Sequence, residues 1–148
     1  MTAHELEKII IQEALDLKKE EAFSICILDE QILSKKSFPE MLATILAQQL
    51  GGDLVSKVDL EKLFLNQFNL FPSIIDDAIC DLLATKDRDP ACSFYLEPLL
   101  FFKGYQGIQA FRTAHSLWNT NKIFSAKVLQ SIVNQKFSMD IHPAAKIG

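Results

Sequence analysis

Apolar residues recur along most of this chain at the three- and four-residue intervals that gather them on one face of an α-helix. Residues 3–18 place Leu6, Ile9, Ile10, Ala14 and Leu17 on one stripe, with Glu13 among them. Residues 20–33 carry Ala22, Phe23, Ile25, Cys26, Ile27, Leu28, Ile32 and Leu33 around most of the circumference. That pattern predicts a helix sandwiched between other elements or subunits. Ser37-Phe38-Pro39-Glu40 reads as a helix start: Ser37 as N-cap, Pro39 in the first turn, Glu40 closing a capping box. This helix runs through Met41, Leu42, Ile45 and Leu46 to Leu50, and Gly51-Gly52 is expected to end it in left-handed conformations. A short helix at 57–68 follows, then a loop at Asn69–Pro72. Ser73 with Asp76 starts the next helix, which carries Ile74, Ile75, Ala78, Ile79, Leu82 and Leu83 to about Lys86.

The link Asp87–Glu97, which contains Pro90, is the expected irregular segment. Pro98 then opens the longest helix, to Trp118, with a stripe of Phe101, Gly104, Ile108, Phe111, His115 and Trp118. Gly104 and Gly107 inside it each cost about 1 kcal/mol relative to alanine, which predicts the close approach of another backbone. A last helix covers 123–137 through Phe124, Val128, Leu129, Ile132, Val133 and Phe137. Seven helices with short connections make an all-α domain. Phe94, Phe101, Phe102 and Phe124 fall on more than one helix face, which points to burial in an oligomer.

The final phrase breaks the pattern. Asp140-Ile141-His142-Pro143-Ala144-Ala145-Lys146-Ile147-Gly148 sets Ile141 and Ile147 six residues apart, with Pro143 between them. That spacing fits neither a helix nor a simple strand alternation. It fits a hexapeptide β-solenoid, where one aliphatic side chain per repeat points into a narrow core. A single repeat cannot bury its apolar face alone.

Composition narrows the function classes. The chain has 148 residues, 49% hydrophobic and 23% charged, so one globular domain is expected. No apolar run reaches the roughly 18 residues of a membrane span, and Met1-Thr2-Ala3-His4-Glu5 has no secretion-signal pattern, so a cytoplasmic protein is expected. Cys26, Cys80 and Cys92 are widely spaced and lack a histidine cluster; no metal site is expected, and Cys26 and Cys80 read as buried reduced thiols. Residues 1–100 carry 18 acids and 9 bases, whereas residues 101–148 carry one acid, Asp140, and six bases. The basic end reads best as a solvated surface, and it lacks the aromatic interleaving of a nucleic-acid site. No P-loop, GxGxxG, HExxH or GxSxG motif is present.

Five phrases in order resemble the serine O-acetyltransferase family. They are Asp87-Arg88-Asp89-Pro90-Ala91, Pro98-Leu99-Leu100-Phe101-Phe102-Lys103-Gly104-Tyr105, Gln109-Ala110-Phe111-Arg112, His115-Ser116-Leu117-Trp118-Asn119 and the phrase from Asp140 to Gly148. The resemblance implies a helical N-terminal domain over 1–138 and the start of a left-handed parallel β-helix over 139–148. It implies transfer of an acetyl group from acetyl-CoA, as co-substrate, to the L-serine hydroxyl in cysteine biosynthesis. No bound cofactor is implied.

The resemblance also implies site residues. Asp140 matches the aspartate that orients a catalytic histidine one coil further on, a histidine without counterpart in these 148 residues. The chain alone is therefore expected to be inactive. Asp89 matches the carboxylate that pairs with the serine ammonium; the competing reading is a turn aspartate bonding its own backbone before Pro90. His142 resembles a structural histidine of the phrase, His115 a hydrogen-bonded core or interface histidine, and His4 a solvated one. Asp87 and Arg88 could form a local ion pair. CoA contacts are not assigned. The alternative to an enzyme is a noncatalytic helical module for self-association.

Overall fold

The computed structural model describes residues 1–147, so Gly148 lies outside the described residues. They form eight α-helices and no strand: α1 (Ala3–Glu20), α2 (Ile25–Leu28), α3 (Phe38–Leu50), α4 (Lys57–Leu70), α5 (Ser73–Arg88), α6 (Leu96–Phe101), α7 (Lys103–Asn119) and α8 (Ile123–Phe137). The all-α expectation holds. The helix starts are only partly as read from the sequence. The full capping box belongs to α1, where the Thr2 hydroxyl accepts from Glu5 N (3.2 Å) and the Glu5 carboxylate from Thr2 N (2.6 Å). At α3 Ser37 does cap Glu40 N, but the Glu40 carboxylate reaches back one residue too far, to Lys36 N at 2.8 Å. At α5 Pro72 takes the N-cap position, so Ser73 and Asp76 form no side-chain cap.

The segment expected as one sandwiched helix at 20–33 is a sequence of three short turns. A 3₁₀ turn at Ala22–Ser24 leads into α2, and α2 into a π-turn at Asp29–Leu33. Each change of helical period rotates the apolar positions away from a common stripe. Leu28 and Ile32 are buried, whereas Phe23 is fully exposed and Cys26 faces solvent. Cys80 is exposed too, because α5 buries Ile74, Ile75, Ala78, Ile79 and Leu82 and leaves position 80 on the far side. Cys92 is the buried thiol; its Sγ donates to Phe94 O at 3.2 Å, and burial pushes its pKa upward.

The long helix expected from Pro98 to Trp118 is broken at Phe102, whose extended backbone (φ −87°, ψ 104°) separates α6 from α7. Pro98 sits inside α6, whose entry is capped from outside: the Glu13 carboxylate of α1 accepts from Tyr95 N (3.1 Å) and Leu96 N (3.2 Å). Gly104 thus falls in the first turn of α7, and among the described residues nothing outside its own helix lies within 4 Å of where its Cβ would stand. Gly107 does meet a close neighbour, but it is the Met139 side chain and not another backbone. Gly51 also needs its hydrogen for a reason other than conformation. Its φ is −68°, and a Cβ there would lie 2.8 Å from Lys57 Cα and 2.7 Å from Ala47 O.

Two helix pairs frame the core: α3 with α4, and α7 with α8. The fully buried side chains include Leu6, Ile10, Phe38, Ile45, Phe64 and Leu82, from α1, α3, α4 and α5. Burying one such side chain contributes about 1.5–3 kcal/mol. Helix α7 is the hub, and three of its buried polar side chains bond outside the helix. Tyr105 Oη donates to Ala78 O (2.9 Å), Gln106 Nε2 to Leu99 O (3.0 Å) and Ser116 Oγ to Gln67 Oε1 (2.8 Å). Ser138, in the left-handed conformation (φ 55°), ends α8 and redirects the chain. Residues 139–147 are not helical; they contain one turn, closed by Ala145 N to His142 O at 2.9 Å.

Candidate functional site

The end of α5 and the beginning of α7 face each other across an open cleft of about 610 Å³. Thr85, Arg88, Asp89 and Pro90 form one wall; Gly104, Tyr105, Ile108 and Arg112 form the other, with Ile147 at the margin. Asp89 is placed by the helix end itself. Its N–H donates to Thr85 O at 3.0 Å as the last bond of α5, and the following proline favours its extended conformation (φ −98°, ψ 105°). One carboxylate oxygen, Oδ1, accepts from Ala91 N at 2.9 Å. The turn-aspartate geometry therefore exists, and it coexists with a place on the cleft wall. It holds one oxygen and leaves the other without a hydrogen bond among the described residues.

A charged network that the sequence did not reveal is built into the cleft lining, through Asp81 and Arg112. Asp81 accepts from Gln109 Nε2 (2.9 Å) and from Arg112 Nη1, and Arg112 Nε lies 3.6 Å from Asp77. The Arg112 side chain is only 12% exposed, so two carboxylates and the Gln109 carbonyl compensate its removal from water. Arg112 and Gln109 share one of the five phrases, yet the phrase names no partner for them. The i, i+4 spacing of Asp77 and Asp81 was the available signal. Tyr105 stands beside this pair. Burial, and then the Asp81 charge, push its phenol well above the ordinary range, which keeps it a proton donor to Ala78 O. Arg88 lines the cleft and makes no ion pair with Asp87 among the described residues.

Asp140 is elsewhere. It is exposed beyond α8, and its Oδ1 accepts from Gln130 Nε2 at 2.9 Å. It does not line the cleft that holds Asp89. The histidines have other duties. His142 meets Trp118 edge-on at 4.8 Å between ring centroids, and its Nδ1 accepts from Ala144 N. His115 is half-buried and bonded through both nitrogens, to Pro143 O and to Asn119. His4 is exposed beside Glu7. Among the described residues no group of three His, Cys, Asp or Glu side chains could hold a metal ion, and no helix is long and apolar enough to cross a membrane.

Comparison with known proteins gives this geometry a family. The model for the N-terminal region of serine acetyltransferase matches residues 7–110. The serine acetyltransferase of Haemophilus influenzae is 37% identical over 139 residues, 94% of this chain and 52% of that protein. That of Escherichia coli K12 is 34% identical over 151 residues, 100% of this chain and 55% of its own length. A solved serine acetyltransferase in complex with CoA superposes with a TM-score of 0.97 at 35% identity, over 99% of this chain and 62% of that one. The soybean enzyme complexed with serine gives 0.91 at 36%, over 95% of this chain and 58% of the other. The chain spans about half the length of these curated relatives. With a family match over most of its length and a helical fold shared almost end to end, the chain belongs to the serine acetyltransferase family, of which it carries the helical N-terminal domain.

Proposed function

We propose that the protein acts in acetyl transfer from acetyl-CoA to L-serine, that residues 1–138 are the helical domain, and that residues 139–148 begin a left-handed β-helix. The observation that carries this reading is Asp89 on the wall of an open cleft, with one oxygen bonded to Ala91 N and the other without a hydrogen bond among the described residues. A carboxylate so held suits an ammonium group that must stay in place while its neighbouring hydroxyl reacts. In the reaction the serine hydroxyl oxygen attacks the acetyl carbon, a histidine takes the hydroxyl proton, and CoA leaves and is protonated. Asp140 is the residue that orients this histidine and stabilises its charged form. The family resemblance puts that histidine outside these 148 residues; His115 bonds Pro143 O and Asn119, and His142 Nδ1 accepts from Ala144 N. The exposed Ile147, 47% accessible, supports a coil that continues.

The test joins residues 1–148 to the coils of the Haemophilus influenzae relative and measures serine-dependent CoA release. The chimaera should turn over; Asp89→Asn should lower kcat/KM for serine by about 100-fold, and Asp140→Asn should act mainly on kcat. The 148-residue chain alone should show no turnover. Turnover by it that His142→Ala abolishes would overturn the assignment.

A second reading, self-association through the helices, is favoured by exposed aromatic side chains. Phe23 (101%), Phe124 (81%), Phe101 (62%) and Phe94 (38%) face solvent in the single chain. Sedimentation should find a dimer; a strictly monomeric chain at high concentration would rule this out. Both readings fit a cytoplasmic protein.

A further inference from the structure

The segment after α8 touches α7 at three points: Met139 against Gly107, Pro143 O against His115, and the His142 ring against Trp118. At about 100° per residue, positions 107, 115 and 118 lie within one sector of α7 roughly 80° wide. Of the three contacts, only that of His115 is a directed hydrogen bond. We propose that His115 is a positioning residue: its Nδ1–H, bonded to Pro143 O at 2.7 Å, fixes where the chain leaves the helical domain.

Three observations support this assignment. A carbonyl oxygen only accepts, so Nδ1 must carry the proton. The Asn119 amide donates to Nε2 at 2.9 Å, which selects that same neutral tautomer. Pro143 is buried, and with no N–H of its own it can be held to α7 by a polar bond only through its carbonyl. Asp140 needs such a fixed point because it is exposed and, among the described residues, bonded only to Gln130, so its direction follows the backbone between Met139 and Pro143. That consequence for catalysis rests on the function proposed above. The docking of the segment does not.

Nuclear magnetic resonance on the 148-residue chain tests the docking without any activity. The His115 ring should show the Nδ1–H tautomer, and Trp118 and His142 ring protons should show mutual Overhauser effects. His115→Phe keeps the ring shape and removes the donor. It should speed exchange of the Ala145 amide, which closes the 142–145 turn, roughly tenfold, with α7 amides unchanged. His115→Asn carries an amide N–H where Nδ1 stood and should restore slow exchange; His115→Gln, whose amide sits one atom further out, should not. An Nε2–H tautomer in the unmodified chain, or equal exchange in the Asn, Gln and Phe variants, would overturn the proposal. Should the Phe variant fail to fold, the tautomer and the Asn–Gln contrast decide. A chimaera that is inactive while these signatures hold would count against the acetyl-transfer reading and leave the docking standing.

Discussion

Met139 lays its thioether sulfur in the place where a side chain at position 107 would have to begin, and its methyl carbon lies 2.9 Å from that point. Gly107 is therefore a seat, and two opposing terms decide what filling it does. Alanine in the interior of α7 gains about 1 kcal/mol of helix propensity. Crowding Met139 costs about 1–3 kcal/mol, held to the low end because a flexible thioether can swing aside. Gly107→Ala should therefore leave the chain within about 1 kcal/mol of its parent in urea unfolding, the two terms nearly cancelling. In a Met139→Ala background the same change should stabilise it, since only the propensity term remains. Additive effects in the double-mutant cycle would show that the two residues do not share this space.

Arg112 gives a contrasting case, in which charge and not volume sets the cost. Removing it leaves Asp81 with only the Gln109 amide, and Asp77 with no cation. Arg112→Ala should destabilise by about 1–3 kcal/mol in chemical denaturation, and Arg112→Lys should recover less than half. A single ammonium cannot reach Asp77 and Asp81 together with the forked geometry of a guanidinium. Full recovery by lysine would show that net charge alone is needed.

Glu13 supplies a pH-dependent prediction. Burial raises its carboxyl above the ordinary 4.5, against the lowering effect of the Tyr95 and Leu96 N–H groups. A carboxyl with a raised folded-state pKa binds its proton more tightly in the folded than in the unfolded chain. Its contribution is thus most favourable below 4.5 and declines as pH rises through the folded value. Glu13→Gln removes the titration and one of the two acceptors that cap α6. The stability advantage of the natural chain over this variant should shrink between pH values below 4.5 and pH 7. A gap that widens toward neutrality would mean the ionised capping bonds outweigh desolvation.

Periodicity recovered the helices because burial on one side imposes it, as the stripes of α1, α3 and α5 illustrate. It failed where the backbone changes course without changing its apolar content. Nothing local in Leu99-Leu100-Phe101-Phe102 announces the extended residue at 102, and the α6 entry is capped by Glu13, more than eighty positions away. The segment 20–33 hides its turns for a related reason: a run apolar on all sides has no stripe to register a π-turn. Of the candidate site residues, Asp89 and Asp140 are legible as members of phrases, and their separation is not, since it depends on how Ser138 turns the chain. The Asp81–Arg112 pair joins helices thirty-one positions apart, a distance that no short motif spans.

Thiol chemistry separates the burial expected of the cysteines from that found. Cys26 and Cys80 are exposed, whereas Cys92 is buried with its Sγ bonded to Phe94 O. Two thiols should react promptly with a maleimide in the folded chain, and the third only as fast as the chain opens. Cys92 is further slowed by its raised pKa, because the thiolate is the reacting form. Three fast thiols would contradict the packing around Cys92.

Gly104 joins stability to the cleft and separates the two. Beyond its own helix backbone and chain neighbours, no atom of the described residues lies within 4 Å of a Cβ placed there, and the residue stands in the first turn of α7, so alanine meets no clash among them. Gly104→Ala should leave the chain as stable as before or up to about 1 kcal/mol more stable, by reducing the freedom of the unfolded state. The same methyl would occupy space in the cleft opposite Asp89. If that cleft takes the amino-acid substrate, the chimaera carrying Gly104→Ala should show a raised KM for serine, with an unchanged KM for acetyl-CoA and a thermal midpoint no lower than its parent's. If serine KM and kcat stay at the parent's values, the substrate does not use this part of the cleft, and Asp89 then serves only the turn that its bond to Ala91 already forms.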